Sequence, residues 1–140
     1  HNEFAPRVQA GLRFLPAMEV DLKPYLLTDG VYDNRLKTAL AYDLDYLCPA
    51  PLDDDVVDEL NWLAAAVFRV TGALDVARVD FRLDANDNWK PYILEINPLP
   101  GLSPVISDLV IEAKADGIEH TELVNMILNT ALKRNGRVLK

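Results

Sequence analysis

Cysteine is almost absent: Cys48 is the single one in 140 residues. A lone thiol excludes an internal disulfide framework and suits a reducing compartment. As a nucleophile Cys48 would need a base, and neither His1 nor His120 stands in a promising context. A packed thiol is the better reading. Long apolar runs are missing too. The run from Leu63 to Phe68 falls far short of the roughly 18–20 residues that cross a membrane. The opening His1-Asn2-Glu3-Phe4 has no basic n-region, no apolar h-region and no methionine, so no signal peptide is visible. The chain is expected to begin inside a longer protein. Basic clusters are the last absence. With a net charge of −8 and scattered Lys and Arg, binding to nucleic acid through phosphate neutralisation is not expected. What remains is 50% hydrophobic and 26% charged, ordinary for a soluble, cytoplasmic domain with a real core.

The most informative stretch is Ala77-Arg78-Val79-Asp80-Phe81, followed after a short excursion by Tyr92 to Gly101. In the first half Ala77, Val79, Phe81 and Leu83 alternate with Arg78, Asp80 and Arg82. In the second, Tyr92, Leu94 and Ile96 alternate with Ile93, Glu95 and Asn97. A side-chain period of two puts each set on its own face of a strand. Asp84 to Pro91 is rich in turn formers and predicts a hairpin connection. Symmetric closure about that loop sets Asp80 opposite Glu95 and Arg78 opposite Asn97, all four on one face.

Like charges directly opposite across strands are destabilising, so a cation is expected between Asp80 and Glu95. Arg78 is one candidate. Mg²⁺ is the other, because two carboxylates and an amide oxygen are hard donors, with phosphate oxygens and water left to complete an octahedron. A merely solvated polar face is the competing reading.

Elsewhere the sequence is expected to build a frame. Phe4 to about Val20 reads as a strand, a turn and a second strand. Asp21 to Pro51 lacks clean periodicity, and a long loop in a compact domain is more often functional than idle. Asp53-Asp54-Asp55 opens a helix to about Thr71, with Val56, Leu60, Leu63, Val67 and Phe68 at helical spacing and Gly72 beyond its end. The acidic triplet suits an N-cap and first turn better than a metal site. The prolines in Asn97-Pro98-Leu99-Pro100-Gly101-Leu102-Ser103-Pro104 predict a rigid loop. A short helix follows from Ser107 to Ala113, ending by Gly117. A last amphipathic helix near Thr121 to Arg134 stops at Asn135-Gly136.

The pattern Arg78-Val79-Asp80 with Glu95-Ile96-Asn97-Pro98-Leu99-Pro100-Gly101 resembles the C-terminal half of the ATP-grasp fold, most closely that of D-alanine–D-alanine ligase and its relatives. The resemblance implies an α+β fold, mainly antiparallel sheet with flanking helices. Residues 1–140 would be the C-terminal part of an ATP-grasp domain whose N-terminal domain and nucleotide-lid subdomain are absent. It also implies an ATP-dependent ligase of peptidoglycan biosynthesis, joining a small-molecule carboxylate, activated as an acyl phosphate, to an amine, amino acids included, and working as a homodimer.

By the same resemblance, Asp80, Glu95 and Asn97 would hold two Mg²⁺ (or Mn²⁺) ions, and Glu3 the ribose of ATP. Lys37, after Tyr32-Asp33, would contact the nucleotide phosphates. Arg78 and the Gly101 N–H would stabilise the transition state. Leu102 and Ser107 would contact the acceptor, with helix capping an equal alternative for Ser107. Two departures leave the acceptor open. Thr38 stands where an aromatic residue is usual, and Val105-Ile106 replaces a glycine-containing pair. A ligase with another amine or carboxylate, or a non-catalytic nucleotide- or metal-binding module, are the alternatives.

Overall fold

In a computed structural model of the chain, residues 5–21 and 45–137 are described, and element labels are numbered within them. The order is α1 (Ala5–Gln9), β1 (Glu19–Asp21), β2 (Asp45–Leu47), α2 (Asp54–Val70), β3 (Arg78–Asp84), β4 (Lys90–Asn97), α3 (Asp108–Ala115) and α4 (His120–Arg134). The architecture is α+β, with two antiparallel two-stranded sheets, β1–β2 and β3–β4. No helix among the described residues is long and apolar enough to cross a membrane.

The opening departs from the expected strand–turn–strand. Only Glu19–Asp21 is a strand, and residues 5–9 are helical. A tertiary contact supports the helix. Arg69, in the last turn of α2, donates from Nε to the Val8 carbonyl at 3.3 Å and from Nη2 to the Ala10 carbonyl at 2.6 Å. Carbonyls at a helix end have no partner within the helix, and here a side chain some sixty residues away supplies one.

α2 starts where the acidic triplet predicts. Asp53 occupies the extended N-cap position and Asp54 and Asp55 lie in the first turn, but the Asp53 side chain makes no capping bond. Its acids therefore act on the helix dipole alone. At the far end Gly72 takes φ +68°. Its N–H bonds the Arg69 carbonyl at 3.2 Å and the Ala73 N–H bonds Phe68 at 3.1 Å, the paired closure of a Schellman motif.

The core lies between α3 and α4, where Leu109, Val110, Ala113, Ile118 and Leu123 are buried, with Leu15, Val76, Met126 and Ile127 packed against them. Burying a side chain of this size contributes about 1.5–3 kcal/mol. Val76, two residues before Arg78, is packed against this core.

The hairpin closes as its alternation predicts at the end that matters. Arg78 pairs with Asn97, Val79 with Ile96 and Asp80 with Glu95. Beyond Asp80 the register shifts: Phe81 faces Ile93, leaving Leu94 as an extra residue. This β-bulge reverses the expected faces of Tyr92 and Ile93. Tyr92 now pairs with Arg82 on the polar face, and Ile93 with Phe81 on the other. The ammonium of Lys90 stands 5.6 Å from the centre of the Tyr92 ring, a cation–π distance. In the connection, Asp84 accepts the Asn86 N–H at 2.9 Å, and Asn88 and Trp89 take positive φ.

Candidate functional site

Three of the expected residues, Arg78, Asp80 and Glu95, meet on one face of the hairpin. Arg78 Nε donates to Asp80 Oδ1 at 2.6 Å and Nη2 to Asp80 Oδ2 at 2.7 Å, while Glu95 Oε1 lies 3.7 Å from Nη2. Because the same nitrogen reaches both carboxylates, their oxygens are no further apart than those two distances together. The cation expected between the acids is thus partly Arg78 itself. It is 11% exposed against 62% for Glu95. Its guanidinium is pushed further above its already high pKa, first by the Asp80 hydrogen bond and then by nearby carboxylates.

Sequence reasoning missed the helix side of this cluster. Asp108, the first residue of α3, is 6% exposed and accepts from Arg78 Nη1 at 2.7 Å. Glu112, one turn further on, has its carboxyl pushed up to about 7, mainly by burial and then by the charge of Asp108, with Arg78 pulling the other way. The i, i+4 spacing of Asp108 and Glu112 is a signal that both share a helix face. That this face meets Arg78 is tertiary information.

Asn97 continues the same face. Its Oδ1 accepts the Leu99 N–H at 3.0 Å, which opens the Pro-Gly loop. The loop is pinned along its length. Ser107 Oγ accepts the Ser103 N–H at 2.7 Å, Lys114 Nζ donates to the Pro104 carbonyl at 3.1 Å, and His120 Nε2 meets the Leu102 carbonyl at 2.8 Å. A carbonyl only accepts, so Nε2 of His120 carries the proton in that contact. Ser107 sits at the N-cap of α3 yet makes no side-chain capping bond, correcting the capping alternative. Its hydroxyl is turned into the loop, where a β-carbon on Gly101 would lie 2.8 Å from it. Gly101 therefore makes room for Ser107 in this structure. The Gly101 N–H has no hydrogen-bond partner among the described residues.

The donor chemistry fits a shared hard cation. Among the described residues the ion-pair partner of Glu95 is Arg78, at 3.7 Å, and each carboxylate or amide oxygen in use retains a second lone pair. Among the described residues no three His, Cys, Asp or Glu side chains form a metal-holding group, so an ion here would take amide, phosphate and water oxygens as well, as Mg²⁺ commonly does. Glu3, Lys37 and Thr38 lie outside the described residues, as does Tyr32-Asp33. Leu102 and Ser107 lie in and after the loop, Leu102 exposed. Cys48 is held as a thiol, its pKa raised by burial and by Glu112, and Sγ lies 4.0 Å from the Ala17 carbonyl.

With this geometry in hand, likeness to known proteins is informative. The family described as D-ala D-ala ligase C-terminus matches residues 15–129. A D-alanine–D-alanine ligase of Herminiimonas arsenicoxydans is 35% identical over 119 residues, covering 85% of this chain and 33% of the relative. This chain thus spans about a third of that relative's length. A structure of D-alanine–D-alanine ligase from Bacillus anthracis complexed with ATP superposes with a TM-score of 0.57 at 28% identity, over 64% of this chain and 31% of that one. Another structure of the Bacillus anthracis ligase gives 0.61 at 24% identity over 87% of this chain and 37% of that one, a likeness of fold.

Proposed function

The chain belongs to the D-ala D-ala ligase C-terminus family, and from that premise we propose that it supplies the metal and transition-state end of an ATP-dependent carboxylate–amine ligase. Residues 1–140 would be the C-terminal part of an ATP-grasp unit. The reaction class activates a small-molecule carboxylate as an acyl phosphate, which an amine attacks to give an amide. Amino acids are the first substrates to try, D-alanine among them.

One observation carries this reading: Arg78, Asp80, Glu95 and Asn97 occupy paired register positions on one face of one hairpin. Asp80 and Glu95, with Asn97 Oδ1, would hold two Mg²⁺ ions. When bound, such ions would supply positive charge that offsets negative charge developing on phosphate oxygens. Arg78 has five N–H donors, of which three are engaged by Asp80 and Asp108. The remaining two are available to a substrate's developing charge. The unpartnered Gly101 N–H is a second donor of the same kind. Lys37 would neutralise nucleotide phosphate and Glu3 would hold ribose. Leu102 and Ser107 would contact the acceptor.

A second reading has one observation in its favour. The ion pairs of Arg78 with Asp80 and Asp108 are what a structural cation needs, so a non-catalytic nucleotide- or metal-binding module is the alternative. Mg²⁺-dependent ADP release by the full-length protein, screened over carboxylate–amine pairs, separates them. The ligase reading expects release that needs both substrates and is lost in Glu95→Gln. Absence of release with every pair would favour the module.

A further inference from the structure

Arg78 is held from two directions. Asp80, two residues along the same strand face, grips Nε and Nη2 at 2.6 and 2.7 Å. Asp108, from α3, grips Nη1 at 2.7 Å. Asp80 already balances the charge of Arg78 one for one, and burying a second carboxylate is costly unless its geometry is useful. Neutrality therefore does not account for Asp108. The two aspartates also differ in what they constrain. Arg78 and Asp80 sit on one strand and can swing together as a bidentate pair. A third hydrogen bond from a separate helix stops that swing, because the guanidinium is a rigid plane.

The location of Asp108 adds to this. It directly follows Ser107, whose hydroxyl holds the Ser103 N–H and stands against Gly101. The group gripping Arg78 and the group shaping the Pro-Gly loop are thus neighbours at the start of one helix. Its neighbour on the same face, Glu112, has its carboxyl pushed up by burial and by the charge of Asp108.

We propose that Asp108 is a positioning residue, which sets the angle at which Arg78 presents its two unused N–H donors and ties that angle to the Pro-Gly loop. The inference rests on the ligase reading for its effect on turnover, but not for its effect on Arg78 itself.

The test is a double-mutant cycle in the full-length protein with Asp108→Asn and Arg78→Lys, reading kcat and KM from ADP release. Asp108→Asn should lower kcat by about 10²-fold, the scale of a 1 Å misplacement, with KM little changed. In the Arg78→Lys background it should cost little more, since the guanidinium that it positions is gone. Losses that multiply would overturn the proposal. Should Asp108→Asn lose its melting transition, Asp108→Glu takes its place. That variant keeps the charge but moves the carboxylate by one methylene, so positioning expects a loss of kcat and simple charge compensation expects none. If the wild type releases no ADP with any substrate pair, the ligase reading fails separately. The Arg78 Nε–H resonance then decides. Slow exchange in the wild type that becomes fast in the Asp108 variant supports positioning, and unchanged exchange overturns it.

Discussion

Asp80 and Glu95 face each other across β3 and β4, and one nitrogen of Arg78 stands within 2.7 Å of the first and 3.7 Å of the second. The nearer acid is hydrogen-bonded to Arg78 and the further one is paired with it only loosely. Glu95→Gln should therefore stabilise the metal-free protein slightly, by about 0.5 kcal/mol or less for so exposed a group. Added Mg²⁺ should raise the melting temperature of the wild type and leave the variant nearly unmoved. Equal Mg²⁺ responses would take Glu95 off the metal site.

Glu112 makes the protein's stability depend on pH. Its carboxyl is raised from 4.5 to about 7, so the folded state holds a proton the unfolded chain has released. Stability from this group is complete below about 4.5 and declines as pH rises to about 7. Glu112→Gln removes the penalty. At pH 8 the variant should be more stable by at most about 3 kcal/mol, the rise from 4.5 to about 7 taken at no more than 1.36 kcal/mol per pH unit, and at pH 4 the two should match. Melting curves between pH 4 and 8 test this, and a wild-type advantage at pH 8 would contradict it.

Gly101 and Ser107 should be coupled. A β-carbon at Gly101 would lie 2.8 Å from Ser107 Oγ but 3.6 Å from its Cβ. Gly101→Ala must displace the hydroxyl and release the Ser103 N–H, costing about 1 kcal/mol, the net value of one hydrogen bond. Ser107→Ala loses the same bond directly. The double variant should cost little more than either single one. Additive losses in chemical denaturation would show that the two residues do not share this contact.

Arg78→Lys is expected to be costly twice over. A lysine keeps the charge but not the planar fork, so the bonds to Asp80 and Asp108 are lost along with the donors proposed to face the reaction. On the ligase reading, turnover of the full-length protein should fall about 10²-fold or more, as when an oxyanion donor is removed, and the melting temperature should fall too. Normal turnover would remove Arg78 from the transition state.

The sequence made the hairpin legible because a period of two is a local property. Arg78, Asp80, Glu95 and Asn97 could be set in register before any fold was known. The bulge at Leu94 was not visible, since the spacing of Tyr92 to Asn97 is the same with or without it, and so the faces of Tyr92 and Ile93 came out reversed. Helix α1 was misread for a different reason. Its carbonyls are capped by Arg69, and no window around Ala5–Gln9 contains that residue. Asp108 and Glu112 are not legible as site residues, because their local sequence looks like any helix start and the ion pair of Asp108 with Arg78 is a tertiary contact. Ser107 does stand at the N-cap position of α3, but its hydroxyl bonds the loop at Ser103 and not the helix.

Three carboxylates, from Asp80, Glu95 and Asp108, together with the raised carboxyl of Glu112, lie near a single guanidinium. Before any ligand arrives, the site is therefore a well of negative potential. Such a field enriches cations near the site and slows the approach of free anions. A bare nucleotide would meet repulsion that its magnesium complex largely escapes. On the proposed reading, metal arrives first or together with the nucleotide, and the encounter rate should rise with ionic strength more steeply for the bare nucleotide than for its magnesium complex.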